Sequence, residues 1–121
     1  PTWQIYMLHK TLRWIENAGG VAHFTRASAE KSALLYQYID QSDYYTNDIA
    51  PQYRSHTNVV FRTRSDELDT RFWKQADANG LAGLKGHKLV GGLRASLYNA
   101  LDISSVRALI DFMDSFAAEN R

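Results

Sequence analysis

A chain of 121 residues suits one compact domain that buries a core without disulfide or metal staples. Hydrophobic residues make up 45%, which argues against wholesale disorder, and 14 Lys plus Arg nearly cancel 13 Asp plus Glu, which leaves no basic field for nucleic acid or an anionic membrane. The lack of cysteine excludes a disulfide framework, a thiolate metal site and a thiol nucleophile and fits the cytoplasm, and neither a membrane span nor a signal peptide is expected.

The chain opens on Pro1 rather than Met and reads as a segment of a longer product. Residues 3–18 have the pattern of a helix, with Ile5, Leu8, Leu12 and Ile15 on one stripe and Gly19-Gly20 as the stop. Trp3 and Trp14 on it suit a core or a domain interface. A second helix is expected from Val21 to about Asp40, its stripe strongest at Leu35, Tyr38 and Ile39, with Glu30 and Lys31 on the solvent side. The polar stretch Gln41 to Ser55 predicts a loop holding a short strand at Tyr44-Tyr45. Asn58 to Thr63, β-branched and aromatic, predicts a strand. Ser65 is placed to cap a third helix, with Asp66 and Glu67 favourably placed in its first turn, Leu68, Phe72 and Ala76 on its buried stripe and Gly80 at its end. Trp73, beside that stripe, could face a partner. Two short strands follow, Leu81 to Lys88 and Arg94 to Asn99, separated by Gly91-Gly92. Asp102 would cap the last helix, where Val106, Leu109, Ile110, Met113, Phe116 and Ala117 keep helical spacing. The irregular alternation of helices and strands predicts an α+β fold, a small, mostly antiparallel sheet covered by helices, in a single domain over 1–121.

Chemistry-bearing residues concentrate in Gly83 to Asn99, GLKGHKLVGGLRASLYN, where Lys85, His87, Lys88 and Arg94 stand among four glycines. Glycines let a backbone bend sharply, and the cations supply donors for phosphate or carboxylate. An ordinary solvated hairpin with surface cations is the competing reading. Gly86 and Gly91 have the spacing of a phosphate-binding P-loop, but Gly92-Leu93 replaces the Lys and Ser/Thr that such a loop needs. His9, His23, His56 and His87 are scattered, without metal-ligand spacing, so no metal site is expected. Asp40, Asp43 and Asp48 lack calcium-loop spacing, and no nucleophile-elbow motif is present.

The segment LKGHKLVGGLRASLYNAL, Leu84 to Leu101, closely resembles one near the C-terminus of the phosphoserine aminotransferases, class V enzymes of fold type I that use pyridoxal phosphate. PTWQIYML, NAGGV, KSALLYQYIDQSDYY, RSHTNVVF and ALIDFMDSF fall in the order of the same family, so the resemblance spans essentially the whole chain. It implies a C-terminal small domain whose helix over 1–20 would link to a large domain lying upstream. It also implies that Arg94 grips the substrate α-carboxylate and that His87 and Lys88 contact its phosphate. Lys88 stands where the family commonly has arginine, which keeps the charge and loses the two-pronged fork.

The family transfers an amino group from glutamate to 3-phosphohydroxypyruvate, giving 2-oxoglutarate and phosphoserine in serine biosynthesis, and some bacterial members also serve pyridoxine synthesis. The resemblance further implies a homodimer, with pyridoxal phosphate held in the full-length enzyme and none on this chain alone. The lysine that forms the Schiff base, the ring-stacking aromatic and the aspartate at the pyridine nitrogen belong to the large domain. No residue of this chain is therefore expected to be catalytic or cofactor-binding, and the chain alone is expected to be inactive. Two other readings stay open: a stand-alone anion-binding or interaction module, and a domain of a different class V aminotransferase.

Overall fold

The computed structural model describes residues 1–121. It holds helices α1 (Thr2–Asn17) and α2 (Gly20–Gln41), a 3-10 turn at Pro51–Tyr53, strand β1 (Asn58–Phe61), helix α3 (Asp66–Ala78), strands β2 (Lys85–His87) and β3 (Gly91–Ser96), and helix α4 (Ile103–Glu119). The three strands form one antiparallel sheet in the order β1-β3-β2. This is the expected α+β layout.

Local chemistry sets the helix ends as the sequence indicates. The Ser65 hydroxyl accepts the Leu68 N–H at the start of α3, and the Asp102 carboxylate accepts the Ser104 N–H at the start of α4. Period-two alternation sets the sheet. Val59 and Phe61 of β1, with Leu93, Ala95 and Leu97 in and just after β3, turn inward. They meet Leu35 and Ile39 of α2, Phe72 and Ala76 of α3, and Val106, Leu109, Met113 and Phe116 of α4 in one core. Phe72 is its centre: the rings of Tyr45, Phe61, Phe112 and Phe116 lie edge-on to it at 5.0 to 6.0 Å between centroids. The helices thus cover one face of the sheet, and Val60 and Arg94, paired across β1 and β3, stand on the other.

Four expectations are corrected. Lys31 is buried rather than solvent-facing, because its ammonium donates to the carbonyls of Tyr98 at 2.7 Å and Leu101 at 2.9 Å, closing the loop between β3 and α4. Tyr44 and Tyr45 form no strand. Both sink into the core, and the pairing falls one residue later, between Thr46 and Arg62, which exchange both backbone hydrogen bonds at 3.0 Å. The strand expected over Asn58 to Thr63 accordingly ends at Phe61. Gly91-Gly92 do not separate the last two strands but begin β3, and the turn lies at 88–90. Both glycines have positive φ, 72° and 68°, a conformation side chains resist, so the chain swings into the strand at that point.

The stripe of α1 stays on the surface. The helix has no buried residue, it packs against α2, and Trp3, Ile5, Leu8 and Leu12 are all more than half exposed. Trp14 alone makes an aromatic contact inward, 4.9 Å from the Phe24 ring. No helix is long and apolar enough to cross a membrane.

Candidate functional site

The β2-β3 hairpin carries the three cations singled out in the sequence. Arg94 is pinned by its backbone, its N–H donating to the Leu84 carbonyl at 2.9 Å and its position opposite Val60 fixed by the ladder. Its side chain is half-buried, and its Nε is buried without a hydrogen-bond partner. A buried guanidinium N–H with nothing to donate to is costly, about 1–3 kcal/mol or more for a charged group, and an arriving anion would relieve that penalty.

His87 pairs with Gly91 at the end of β2. Its Nδ1 accepts the Leu89 N–H at 3.3 Å, which leaves Nε2 to carry the ring proton and donate it outward. His87 and Arg94 line one cavity of about 360 Å³, together with Arg62, Asn47 and the glycines of the hairpin; one carboxylate, Asp48, shares its wall.

Lys88 is set apart from that pair. It lines a neighbouring cavity of about 300 Å³ with Arg62, Asp66, Asp69, Trp73 and Lys85. His87 and Arg62 border both cavities, so the hairpin forms the ridge between them. The structure therefore brings His87 and Arg94 together and puts Lys88 around the corner. Trp73 packs against the core edge, with the Lys85 ammonium 5.1 Å and the Lys74 ammonium 5.7 Å from its ring.

Arg62 escaped the sequence reading. It lies within the run expected as a strand, Asn58 to Thr63, and its only signal in the sequence is the pair of carboxylates four and seven residues on, Asp66 and Asp69. A larger concavity, about 660 Å³, lies elsewhere on the molecule. Its polar groups satisfy one another: the Tyr38 hydroxyl donates to Asp114 at 2.7 Å and Arg121 to Asp43 at 3.0 Å. It offers an incoming ligand no uncommitted cation.

Pyridoxal phosphate does not fit the residues present. Lys31 is committed to two carbonyls, Lys10 lies over Tyr6, Lys74 and Lys85 lie over Trp73, and Lys88 sits on the exposed turn. None of the five lies on the wall that His87 and Arg94 share.

Residues 1–109 match the family model for class-V aminotransferases. The chain is 60% identical over 117 residues to the phosphoserine aminotransferase of Dichelobacter nodosus (strain VCS1703A), a match that covers 97% of this chain and 33% of that protein. Among solved structures, it superposes on the phosphoserine aminotransferase from Bacillus circulans subsp. alkalophilus with a TM-score of 0.96 and 42% identity, over 100% of this chain and 34% of that one. It also superposes on PLP-bound phosphoserine aminotransferase from Trichomonas vaginalis with a TM-score of 0.87 and 35% identity, over 94% of this chain and 33% of that one. The chain thus spans about a third of the length of the relatives it matches.

Proposed function

The chain belongs to the class-V aminotransferase family, and from that premise we propose that it is the C-terminal, substrate-anion-binding part of a phosphoserine aminotransferase. The full-length protein would move an amino group from glutamate to 3-phosphohydroxypyruvate, yielding 2-oxoglutarate and O-phosphoserine in serine biosynthesis. Pyridoxal phosphate, held by the remainder of the protein, supplies the site that carries the amino group between the two substrates. Action as a cytoplasmic homodimer with α1 as the link to a large domain, and a role in pyridoxine synthesis, belong to the same reading.

This chain's part is positioning. Arg94 meets the α-carboxylate through two parallel hydrogen bonds, while His87 and Lys88 serve the phosphate. The observation that carries the reading is the buried, unpartnered Nε of Arg94 on a wall shared with His87. Lys88, facing the neighbouring cavity, is assigned to the phosphate with His87 as the hinge between the two cavities. With no lysine placed for the cofactor, the chain alone is read as inactive.

The test is kinetic, on the full-length protein. Arg94→Ala should lower kcat/KM for the phosphorylated acceptor by about a hundredfold or more, the scale of a lost charge-assisted bidentate contact, and leave the cofactor's visible absorbance in place. The 121-residue chain assayed alone should give no rate. Loss of bound cofactor in the variant would contradict the role given to Arg94. Equal turnover of phosphorylated and unphosphorylated 2-oxo acids by the wild type would point to a different class V substrate.

A further inference from the structure

We infer that Arg62 is the positioning residue that holds the His87–Lys88 turn in the geometry that selects a phosphorylated substrate; this rests on the function proposed above. Its backbone is pinned on both sides by the exchange with Thr46, N–H to carbonyl in each direction at 3.0 Å. From that fixed base the side chain crosses the root of the hairpin. Nη2 donates to the Val90 carbonyl at 2.5 Å, inside the turn that carries Lys88 and directly after His87. Nη1 faces α3, 3.8 Å from Asp69 Oδ2 and 3.4 Å from Asp66 Oδ1.

The two carboxylates are unequal anchors. Asp66 is almost fully exposed, and a pairing of that kind contributes little. Asp69 is buried and itself held, its Oδ1 accepting both the N–H and the hydroxyl of Thr63 at 2.7 Å. The chain of contacts therefore runs from a rigid helix through Asp69 and Arg62 to the carbonyl of a turn that is otherwise tied only locally, by Val90 N–H to the His87 carbonyl and by Leu89 N–H to the His87 ring.

Glycine makes the crossing possible. A Cβ on Gly92 would come within 3.2 Å of Arg62 Cγ, and one on Gly86 would run into the carbonyls of Gly91 and Gly92. The strands close tightly at this point, and the arginine stem lies along the bare backbone. Arg62 also borders both cavities, the one with Arg94 and the one with Lys88. A residue tied to the ridge between them controls how His87 and Lys88 are presented relative to Arg94. A side chain without a donor there would leave the Val90 carbonyl free and the turn unbraced, while Arg94, fixed by the sheet ladder, would stay in place.

The experiment compares a phosphorylated 2-oxo acid with its dephosphorylated counterpart as amino acceptors for the full-length protein. Arg62→Ala should lower the ratio of the two kcat/KM values by about tenfold, through KM for the phosphorylated acceptor, with cofactor absorbance and thermal midpoint preserved. Arg62→Lys should recover part of the ratio. In a His87→Ala/Lys88→Ala background Arg62→Ala should lower it no further, since the residue acts through the turn. Should Arg62→Ala fail to accumulate in folded form, Arg62→Met, which keeps an unbranched stem over Gly92 and has no donor for the Val90 carbonyl, is read in the same way. An unchanged ratio, equal loss for both acceptors, or an undiminished effect in the double-variant background overturns the inference and leaves the proposed function standing. A wild type with no preference for phosphate overturns both.

Discussion

Burying an ammonium demands compensating acceptors, and Lys31 finds them in the carbonyls of Tyr98 and Leu101. Burial pulls its pKa down, and the nearby Asp102 carboxylate works against that shift. The side chain joins the middle of α2 to the loop after β3, the strand that carries Arg94. Lys31→Met fills the space and takes the ammonium from both carbonyls, of which that of Tyr98 keeps the Leu101 N–H at 2.9 Å, so it should destabilise the protein by about 1–3 kcal/mol in urea unfolding. Amide protection in residues 97–102 should fall at the same time. Unchanged stability would mean that water replaces the ammonium. Arg94 differs from Lys31 in kind: one cation is fully engaged by the fold, the other keeps a buried donor idle.

At the level of elements, the loop after α2 is held by a clamp rather than by regular structure. Arg54 meets Asp40 through two hydrogen bonds, 2.6 and 2.8 Å, donates from Nε to the Ile49 carbonyl, and lies 4.8 Å from the Tyr36 ring centroid. Asp40 sits in the last turn of α2, where a carboxylate opposes the helix dipole, and Arg54 offsets that conflict. The Arg54 hydrogen bonds hold the Asp40 carboxyl below its usual pKa of 3.8. Because the folded-state pKa is the lower one, the stabilisation is present above the ordinary carboxylate range and is lost as pH falls through it. The pair is partly exposed, so its contribution is at most about 1 kcal/mol. Wild-type protein should thus lose more of its thermal midpoint than Asp40→Asn between about pH 6 and about pH 3. Parallel acid profiles would show that the clamp contributes nothing.

On the scale of the whole molecule, the α1 stripe matters most. Ile5, Leu8 and Leu12 follow helical spacing yet stay more than half exposed within this chain. Apolar surface of that extent favours association. The 121-residue chain should therefore show concentration-dependent mass in sedimentation equilibrium, and Leu8→Lys/Leu12→Lys should return it to a monomer; a wild-type chain that stays monomeric at every concentration would count against this. The same scale divides what was legible beforehand from what was not. Helical periodicity, the Ser65 and Asp102 caps, the β-branched run at Asn58 and the glycine-spaced cations were readable because each depends on neighbours a few residues away. The α+β layout followed from those patterns, and the family resemblance from the motif at Leu84 to Leu101 and the further segments in family order. Only the tertiary structure decided that Lys31 turns inward, that Tyr44 and Tyr45 join the core, and that His87 shares a cavity with Arg94 while Lys88 borders the next one. It also decided that Arg62 reaches the turn across 28 residues of sequence. These outcomes depend on strand register and on which carbonyls meet which cations, contacts between distant segments that no local period encodes.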